Sequence, residues 1–451
     1  MKTIIDPGHP IKGNLPCKNK LDLPGDKSLS HRAALFAALA DGKSAIRNFQ
    51  VSGVTKPLLD ALKQLAIDWQ LDGTTLTIAG HGLQGLRPAS EPINCGNSAT
   101  TLRLLTGALS AAGIPAVLDG SAGLRHRPMD RIVLPLRHMG VSITAAENGG
   151  APLELLSRDS NQPLHNIQYA LPVASAQVKS CLLLAALAAN GTSTLFEPGP
   201  SRDHTENMLA NMGVDVTSRK LEDKATPIYA TRLSPPTTSL LPLDFTVPGD
   251  ISAAAFLIVA ALITPGSQLI LNNVGLNATR TGLLDTLQAM GADVQVEILT
   301  HDAGEPAGKV TVRYSVLEAV EVCGPLVVRM IDEFPVFAVA AAFAAGTTVV
   351  RDAQELRLKE SDRIAAICQE LSRIGVNIQE TPDGFIVVGG VLPRGGEVES
   401  HGDHRLAMAL AVAGLACQNP VVVHGAEMTA ESFPDFIAVL QALGCIIQTE
   451  Q

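Results

Sequence analysis

Small clusters of charged and hydroxyl residues interrupt an otherwise apolar chain, and several of them stand where an Ala- and Leu-rich helix is predicted to begin. They are PGDKSLSHR at 24–32, GNSATT at 96–101, SAQVK at 175–179, DE at 332–333 and DHR at 403–405. A helix N-terminus attracts anions because its N–H groups are unpaired and its dipole is positive there. Lys, Arg and Ser side chains at the same place therefore predict sites for phosphate or carboxylate groups.

Two further segments add charge to this set. LRHRPM at 124–129 places two arginines beside a proline, and RLKESDR at 357–363 packs five charged residues into seven positions. Taken alone, the second segment is typical of a solvated helix start with ion pairs. In register with the other clusters, both segments favour a pocket with several cationic centres, which suits small substrates that carry several negative charges.

An internal repeat accounts for the spacing of the clusters. The unit is an apolar helix, a turn and a β-like run, and its turns fall at Gly42, Gly113, Gly191, Gly266, Gly346 and about Gln418. The successive separations are 71, 78, 75, 80 and 72 residues. Six units of this length cover nearly the whole chain, and the period is too long for a solenoid.

A second pattern alternates with the first and consists of an amphipathic helix, a glycine and a strand of alternating polarity. Examples are RIVLPLRHMGVSIT and GLLDTLQAMGADVQVE, and PLLDALKQLAIDWQ is a degenerate first copy. The glycine is expected to take the left-handed conformation that ends a helix. Six equal units predict two pseudo-symmetric domains of three units each, with the boundary in the Pro-rich stretch 234–248.

Composition restricts the class of function. Of the 451 residues, 46% are hydrophobic and 17% are charged, which is enough apolar material for a large core. The net charge of −10 argues against general nucleic-acid binding, although a local cationic pocket stays possible. The seven cysteines have no CxxC spacing, and the apolar runs are too short for a membrane helix. A cytoplasmic protein without a metal or disulfide framework is expected.

Ten motifs carry a resemblance to a known family. They are PGDKSLSHR, CGNSATTLR, RHRPMDR, PVASAQVKS, SRDHTENM, VPGD, MIDEFPV, ELRLKESDR, GDHRLAMA and SFPDF. In their order and spacing the chain resembles the EPSP synthase family over nearly all of its length. ASAQVKS and SRDHTE are more similar to the glyphosate-tolerant second class of that family than to the first.

The resemblance implies an α/β fold of the α+β type with two pseudo-threefold domains. Each domain would contain three βαβαββ units, the inverse α/β barrel of the enolpyruvyl transferases. Residues 1–22 and 246–451 would form one domain and residues 23–245 the other. The active site would lie in the cleft between them.

The family reaction, as the resemblance implies it, adds the 5-hydroxyl of shikimate 3-phosphate to C2 of phosphoenolpyruvate and then eliminates phosphate, on the route to chorismate and aromatic amino acids. No metal or cofactor takes part, and a monomer is expected. Asp332 would be the base near the 5-hydroxyl. Glu360 and Lys27 would handle the C3 proton and the leaving phosphate, and the sequence leaves open which of the two delivers the proton.

The same resemblance assigns the ligand contacts residue by residue. Phosphoenolpyruvate would be held by Lys27, Ala99, Arg127, Gln177, Arg363 and Arg405. Shikimate 3-phosphate would be held by Lys27, Ser28, Arg32, Ser175, Ala176, Gln177, Arg202, Asp332 and Lys359. His404 would support the site.

Some positions depart from the first class of the family. Ala99 stands where that class has Gly, and its methyl group is expected to obstruct glyphosate more than phosphoenolpyruvate. An alanine that only packs at a helix start is the alternative. Glu431 replaces a Lys that contacts phosphoenolpyruvate, Ala176 replaces a Ser and Glu355 replaces an Asn, so those contacts are in doubt.

Two other functions stay open at this stage. The sister enzyme that uses UDP-N-acetylglucosamine shares the fold but carries a loop cysteine, and the matching segment 119–129 has none. A non-catalytic anion-binding protein on the same fold would be expected to lose Asp332, Glu360 or Lys27, and all three are present.

Overall fold

A computed structural model describes residues 1–16, 21–159, 162–221 and 228–450. The strands are β1 (Lys2–Asp6), β2 (Lys12–Leu15), β3 (Asp41–Arg47), β4 (Asp68–Asp72), β5 (Thr75–His81), β6 (Ile93–Asn94), β7 (Ala116–Asp119), β8 (Ile143–Ala145), β9 (Leu153–Leu155), β10 (Gln168–Ala170), β11 (Ser193–Glu197), β12 (Asp215–Leu221), β13 (Ile228–Ser234), β14 (Asp244–Thr246), β15 (Gln268–Gly275), β16 (Asp293–Asp302), β17 (Glu305–Arg313), β18 (Glu321–Val322), β19 (Gly346–Val350), β20 (Asn377–Thr381), β21 (Gly384–Gly389), β22 (Gly396–Glu399), β23 (Val421–His424) and β24 (Ile446–Glu450). The helices are α1 (Lys27–Leu39), α2 (Lys56–Gln64), α3 (Ala99–Ala112), α4 (Ala122–Arg125), α5 (Asp130–His138), α6 (Ala176–Ala186), α7 (His204–Asn211), α8 (Ile251–Ile263), α9 (Gly282–Ala289), α10 (Pro325–Arg329), α11 (Phe334–Phe343), α12 (Arg363–Arg373), α13 (His404–Gly414) and α14 (Phe436–Ala442).

The described strands form six four-stranded sheets that share one design. Their orders are β14-β3-β5-β4, β6-β7-β9-β8, β10-β11-β13-β12, β2-β15-β17-β16, β18-β19-β21-β20 and β22-β23-β1-β24. In the sheet of β6 to β9, β6 runs parallel to β7, and β9 pairs antiparallel with both β7 and β8. The sheet of β18 to β21 repeats this arrangement. The parallel pair needs a crossover, and a buried helix supplies it in each case.

Six helices of the repeat are rich in Ala and Leu. Of these, α3, α6, α11 and α13 cross over between parallel strands of one sheet, whereas α1 and α8 link strands of different sheets. Every residue of α8 is buried, as expected for a helix that is apolar on all sides. Helix α3 contacts α1 and α6, and α11 contacts α8 and α13. Small side chains allow this close packing, so the starts of three helices are held near one another within each set.

Side-chain caps fix where most of these helices begin. The carboxylates of Asp26 and Asp403 accept backbone N–H bonds at the starts of α1 and α13. Ser98, Ser175 and Asp250 do the same for α3, α6 and α8. Such caps stabilise a helix start by about 1 kcal/mol, and they place the charged clusters of the sequence at the helix N-termini.

The described chain separates into two compact units. The first unit comprises 1–24, 248–300 and 306–451, and the second comprises 25–247 and 301–305. Each has its own hydrophobic core. The domain boundaries predicted at 22/23 and 245/246 stay a prediction.

The amphipathic helices α2, α5, α7, α9, α12 and α14 complete the repeat. After five of these six described helices comes a glycine with positive φ: Gly140, Gly213, Gly291, Gly375 and Gly444. After α2 the position is taken by Ala66, with φ 62°. The predicted left-handed turn is therefore present in the first copy too, without the residue that adopts it most easily.

Among the helices of the described ranges, none combines the length and the apolar character that crossing a bilayer requires.

Candidate active site

In the first unit, the starts of α11, α12 and α13 bring together Asp332 and Glu360, two of the three residues predicted to move protons, while Lys27 belongs to the second unit. Arg363, the first residue of α12, is only 1% exposed at its side chain. Its guanidinium Nε lies 2.8 Å from Asp403 Oδ2, and one Nη lies 2.7 Å from Glu360 Oε2. The other Nη lies 3.4 Å from Asp332 Oδ1. One guanidinium thus joins three carboxylates from three different segments.

Arg405 approaches Asp332 from another direction. Its guanidinium donates to the Asp332 backbone carbonyl at 3.2 Å and lies 3.6 Å from Asp332 Oδ2. The Asp332 side chain is 16% exposed, whereas Arg405 is buried. Asp332 is therefore a partly accessible carboxylate in contact with two guanidinium groups.

The electrostatics of this cluster favour its charged form. Burial opposes the charge of Arg363, but Asp403, Glu360 and Asp332 together raise its pKa. Burial likewise disfavours the Asp403 carboxylate, yet Arg363 outweighs it and the pKa of Asp403 is lowered. Asp403 was not among the predicted site residues. Its signal in the sequence was its place directly before His404 and Arg405, and its role is to cap α13 while holding Arg363.

A buried polar chain stands behind Asp332. Glu333, the next residue, is 1% exposed and accepts a hydrogen bond from the Ser252 hydroxyl. That hydroxyl accepts from Arg280 Nη2 at 2.8 Å, and Arg280 also reaches Asp250 at 3.2 Å. This hydrogen-bond network connects the start of α8 to the start of α11. The sequence did not predict it, because the residues that form it are far apart along the polypeptide.

The remaining predicted residues of the first unit lie beside this cluster. Lys359 is half-buried, one residue before Glu360. His404 is 1% exposed, and its Nδ1 lies 3.8 Å from Glu431 Oε2. Glu431, the residue that departs from the first class, therefore faces the supporting histidine.

In the second unit, Arg32 braces the start of α1. Its side chain donates to Thr205 Oγ1 at 2.8 Å, to the Ser28 carbonyl at 3.0 Å and to Ser180 Oγ at 2.7 Å. It is 2% exposed, and burial together with the nearby charge of Arg202 lowers its pKa to about 10. The structure gives Arg32 little surface for a ligand, so its direct contact with substrate stays a prediction.

Arg202 lies on the other side of Ser28. Its Nη1 donates to the Ser28 hydroxyl at 3.1 Å. Arg202, Ser28 and Lys27 are all half-buried and therefore offer accessible surface. Two arginines, a serine and the α1 N-terminus thus meet in one part of the second unit, and an anion site there stays a prediction.

Gln177 joins two helix starts in the same unit. Its Nε2 donates to Thr100 Oγ1 at 2.9 Å, and its Oε1 accepts from Arg103 at 2.6 Å. Arg103 also donates to the Pro128 carbonyl at 2.8 Å, next to the half-buried Arg127. Arg103 was outside the predicted set, and it links α3, α6 and the loop that carries Arg127.

Three predicted residues of small size begin helices. Ser175 caps α6, with its hydroxyl 3.5 Å from Val178 N, and Ala176 is the first residue of that helix. Ala99 is the first residue of α3 and is 2% exposed. Its methyl group is therefore mostly covered by protein atoms.

In the structure, Lys179 belongs to a buried group of ion pairs. The sequence placed it in the cationic cluster SAQVK, but its Nζ lies 2.8 Å from both Glu197 Oε1 and Glu206 Oε1. The three groups are buried. Burial opposes the charge, but the two glutamates raise the pKa of Lys179 overall. It is a paired charge of the core, so it adds no free positive charge to an anion site.

His31 supports the same helix starts from within. Its ring contacts the Lys27 carbonyl at 2.8 Å through Nδ1, and the Val54 carbonyl at 3.0 Å through Nε2. Burial lowers its pKa to about 4, so the ring is neutral near pH 7. A neutral ring can lie beside Lys27 and Arg32 without repulsion, which a charged one could not.

One group of potential metal ligands occurs in the described residues: Asp203, His204 and Glu305. His204 Nδ1 is 2.9 Å from Glu305 Oε1, and Asn207 donates to the same oxygen at 3.1 Å. Asn207 also donates to Asp203 Oδ1 at 3.4 Å, so hydrogen bonds account for the short contacts within this group.

Repeated four-stranded sheets with buried Ala- and Leu-rich helices, whose starts carry cationic and hydroxyl side chains, define an enolpyruvyl transferase fold. A structure of EPSP synthase from Acinetobacter baumannii aligns with a TM-score of 0.85 and 39% identity, covering 100% of both chains. The family model for EPSP synthase (3-phosphoshikimate 1-carboxyvinyltransferase) matches residues 11–440. The chain belongs to the EPSP synthase family.

Curated relatives agree with this assignment. A protein of Synechococcus sp. (strain JA-3-3Ab) is 46% identical over 94% of both chains, and one of Roseiflexus sp. (strain RS-1) is 46% identical over 97% of this chain and 98% of its own. Both are named 3-phosphoshikimate 1-carboxyvinyltransferase. The predicted family and fold class are confirmed, and the assignment of individual residues to roles stays a prediction.

Proposed function

We propose that this chain is a 3-phosphoshikimate 1-carboxyvinyltransferase. It transfers the enolpyruvyl group of phosphoenolpyruvate to the 5-hydroxyl of shikimate 3-phosphate and releases phosphate. The observation that carries the proposal is Asp332, a partly exposed carboxylate between the guanidinium groups of Arg363 and Arg405. Such a group can accept a hydroxyl proton while the arginines hold an anionic partner. The names of the relatives at 46% identity support the same reaction.

The proposed chemistry has two stages. Asp332 takes the proton of the 5-hydroxyl as that oxygen bonds to C2 of phosphoenolpyruvate, and C3 receives a proton from Glu360 or Lys27. In the second stage the group that gave this proton takes one back from C3. The electron pair of that C–H bond forms the C2–C3 double bond, and phosphate leaves with the electron pair of its bond to C2. Glu360 lies 2.7 Å from Arg363, and Lys27 begins α1, so the two candidates differ in their surroundings.

The proposed binding contacts fall into two sets, one for each substrate. Phosphoenolpyruvate contacts Lys27, Ala99, Arg127, Gln177, Arg363 and Arg405. Shikimate 3-phosphate contacts Lys27, Ser28, Arg32, Ser175, Ala176, Gln177, Arg202, Asp332 and Lys359, and His404 supports the site. The bond between Arg202 and Ser28 supports a phosphate contact there, because an arginine and a hydroxyl together suit its oxygens.

The experiment is phosphate release by the purified protein, with phosphoenolpyruvate and shikimate 3-phosphate supplied together and each omitted in turn. We expect release only when both are present. Release with UDP-N-acetylglucosamine as the acceptor, and none with shikimate 3-phosphate, would assign the chain to the sister reaction. No release with either acceptor would leave an anion-binding protein.

We also propose that the chain belongs to the glyphosate-tolerant class. The support is Ala99, the first residue of α3 and a proposed phosphoenolpyruvate contact, which carries a methyl group that a glycine would lack. Tolerance predicts weak inhibition by glyphosate in the phosphate-release assay and stronger inhibition of an Ala99→Gly variant. Equal inhibition of both proteins would mean that Ala99 only packs at the helix start, as its 2% exposure would then explain.

A cytoplasmic, monomeric protein is proposed as well. The six described cysteines are free and five are buried, which suits a reducing compartment, while Cys17 lies outside the described residues. Light scattering coupled to size exclusion should give a mass near 47.2 kDa. Twice that mass would replace the monomer with a dimer.

A further inference from the structure

Helix α12 is attached to the segment that leads into α13 at a second point, away from the proposed site. The first attachment is the Arg363–Asp403 pair, with Nε 2.8 Å from Oδ2. The second is Glu370, seven residues further along α12. Seven residues are close to two helical turns, so both residues lie on the same face of α12.

Both oxygens of the Glu370 carboxylate are used at this second point. Oε1 lies 2.8 Å from His401 Nε2, and Oε2 accepts from the Glu399 backbone N–H at 2.9 Å. Arg373 adds a contact to Oε2 at 3.2 Å. Glu370 is 0% exposed. A buried carboxylate is tolerated only where its partners satisfy it, so displacing residues 399–401 would be costly.

The backbone of the same segment is in a conformation that needs support. His401 has φ 51°, which is uncommon for a residue with a Cβ atom and costs roughly 1–2 kcal/mol. Gly402 follows with φ 68°, and these two left-handed residues turn the chain from β22 into α13. The contact with Glu370 holds the His401 side chain while its backbone makes this turn.

The turn delivers two residues of the cluster. Asp403 comes two positions after His401, accepts from the Arg405 backbone N–H at 2.9 Å and holds the Arg363 guanidinium. A shift of the turn would therefore move Asp403 and Arg405 together, relative to Arg363 on α12. Small displacements of this kind can cost a large part of the rate, because the reacting groups must be in register.

We infer that Glu370 and His401 are positioning residues that set the spacing of Arg363 and Arg405 around Asp332. They act through the turn at 399–403 and do not themselves touch the reacting groups. The inference rests on the proposed function, since it assigns a purpose to the arrangement of these arginines.

The test uses three variants of the full chain. His401→Gly removes the side-chain contact and relieves the left-handed backbone, so it should fold. His401→Gln keeps a nitrogen donor at about the reach of Nε2. His424→Ala is the matched control, because it breaks another histidine–glutamate pair, 3.0 Å from Glu397 on β22, that involves no residue of α12.

We expect His401→Gly to lower kcat/KM for phosphoenolpyruvate about tenfold or more. KM for shikimate 3-phosphate should stay within about twofold, since most of its proposed contacts are in the other unit. His401→Gln should recover most of the loss, and His424→Ala should match the wild type. Wild-type constants in His401→Gly, or equal losses in the glycine and glutamine variants, would overturn the inference.

Amide hydrogen exchange separates this result from a failure of the proposed function. His401→Gly should exchange faster than the wild type across 403–407, whatever reaction the protein catalyses. If the wild type is inactive but His401→Gly still exchanges faster at 403–407, the proposed reaction is rejected and the positioning role of Glu370 and His401 is kept. If exchange at 403–407 is the same in His401→Gly as in the wild type, the positioning role of Glu370 and His401 is rejected, even if the wild type releases phosphate as proposed.

Discussion

The two units use one repeated scaffold to present different chemistry. In the first unit, the helix starts contribute Asp332, Asp403 and Glu360, interleaved with Arg363 and Arg405. The proposed ligand-binding set of the second unit consists of cationic, hydroxyl, amide and alanine side chains and includes no carboxylate. On the proposed roles, the helix N-termini of the first unit carry the base Asp332 and the acid candidate Glu360. Those of the second unit carry anion-binding side chains and Lys27, the other acid candidate.

This contrast extends to the histidines. His31 lies beside Lys27 and Arg32 and is neutral, whereas His404 lies beside Asp403 and faces Glu431. The comparison predicts that substitutions of the carboxylates in the first unit reduce turnover. Substitutions in the second unit, outside the acid candidate Lys27, should weaken binding or alter stability.

The largest effect is expected from Asp332→Asn. The amide has nearly the shape of the carboxylate but cannot accept the hydroxyl proton, so kcat should fall by about 10²–10⁴. KM values should change much less. Steady-state phosphate release measures both quantities. Asp362→Asn is the control, because an asparagine can still cap α12 and should leave kcat unchanged. A kcat for Asp332→Asn within a fewfold of wild type would remove Asp332 as the base.

The next effect concerns stability and pH in the second unit. Burial lowers the pKa of His31 to about 4 in the folded protein, whereas a histidine in the unfolded chain takes up a proton below about pH 6.5. The unfolded state therefore binds more protons between these values, and His31 reduces stability as the pH falls from 6.5 to 4. The full contribution is present above about pH 6.5.

His31→Gln should remove this dependence. Urea unfolding can be followed by Trp69, the single tryptophan of the sequence, which belongs to β4 of the second unit. Between pH 7 and pH 4.5 the wild type should lose about 2–3 kcal/mol more than the variant does. Parallel losses in the two proteins would show that His31 is charged in both states or in neither.

Arg202→Gln tests the binding side of the comparison. Losing a charged hydrogen bond to phosphate costs about 1.5–3 kcal/mol, so KM for shikimate 3-phosphate should rise about 10- to 100-fold. The value of kcat at saturation should stay within a fewfold. Arg219→Gln, an exposed change on β12, is the control. A large fall in kcat with little change in KM would place Arg202 in the chemical step and blur the division between the units.

The smallest effect compares the first repeat with the others. Ala66 takes the left-handed turn that a glycine takes in the other five copies, so Ala66→Gly should stabilise the second unit by up to about 1 kcal/mol. The Trp69 unfolding curve should shift to higher urea. Ala61→Gly, inside α2, should shift it to lower urea instead. A destabilised Ala66→Gly would mean that the methyl group contributes packing that outweighs the strain.

The sequence predicted the parts of this fold that depend on local patterns. Glycines and apolar periodicity gave the six repeats, and Asp26, Ser98, Ser175 and Asp250 mark helix starts through the ordinary chemistry of N-caps. The clusters at those starts were therefore recognisable, because one turn of helix contains both the cap and the charged residues.

Contacts between distant segments could not be predicted in the same way. Arg363 meets Asp403 forty residues later, and Lys179 meets Glu197 and Glu206 rather than the anion site. Such partners depend on the rotation of each helix within its layer, which a pattern of residue types does not specify. The same reason explains why the contacts of Arg103 with Gln177 and of Glu370 with His401 were not predicted.

The sheet β22-β23-β1-β24 has a consequence for synthesis of the chain. Strand β1 lies between β23 and β24, so Lys2 pairs with His424 and with Glu450. The second unit has nearly all of its residues once Val247 has left the ribosome, whereas β1 must wait for about 420 further residues before its neighbours exist. During translation β1 therefore has no strand partner while nearly all of the second unit is already outside the ribosome, and an unpaired strand edge of this kind can be bound by chaperones.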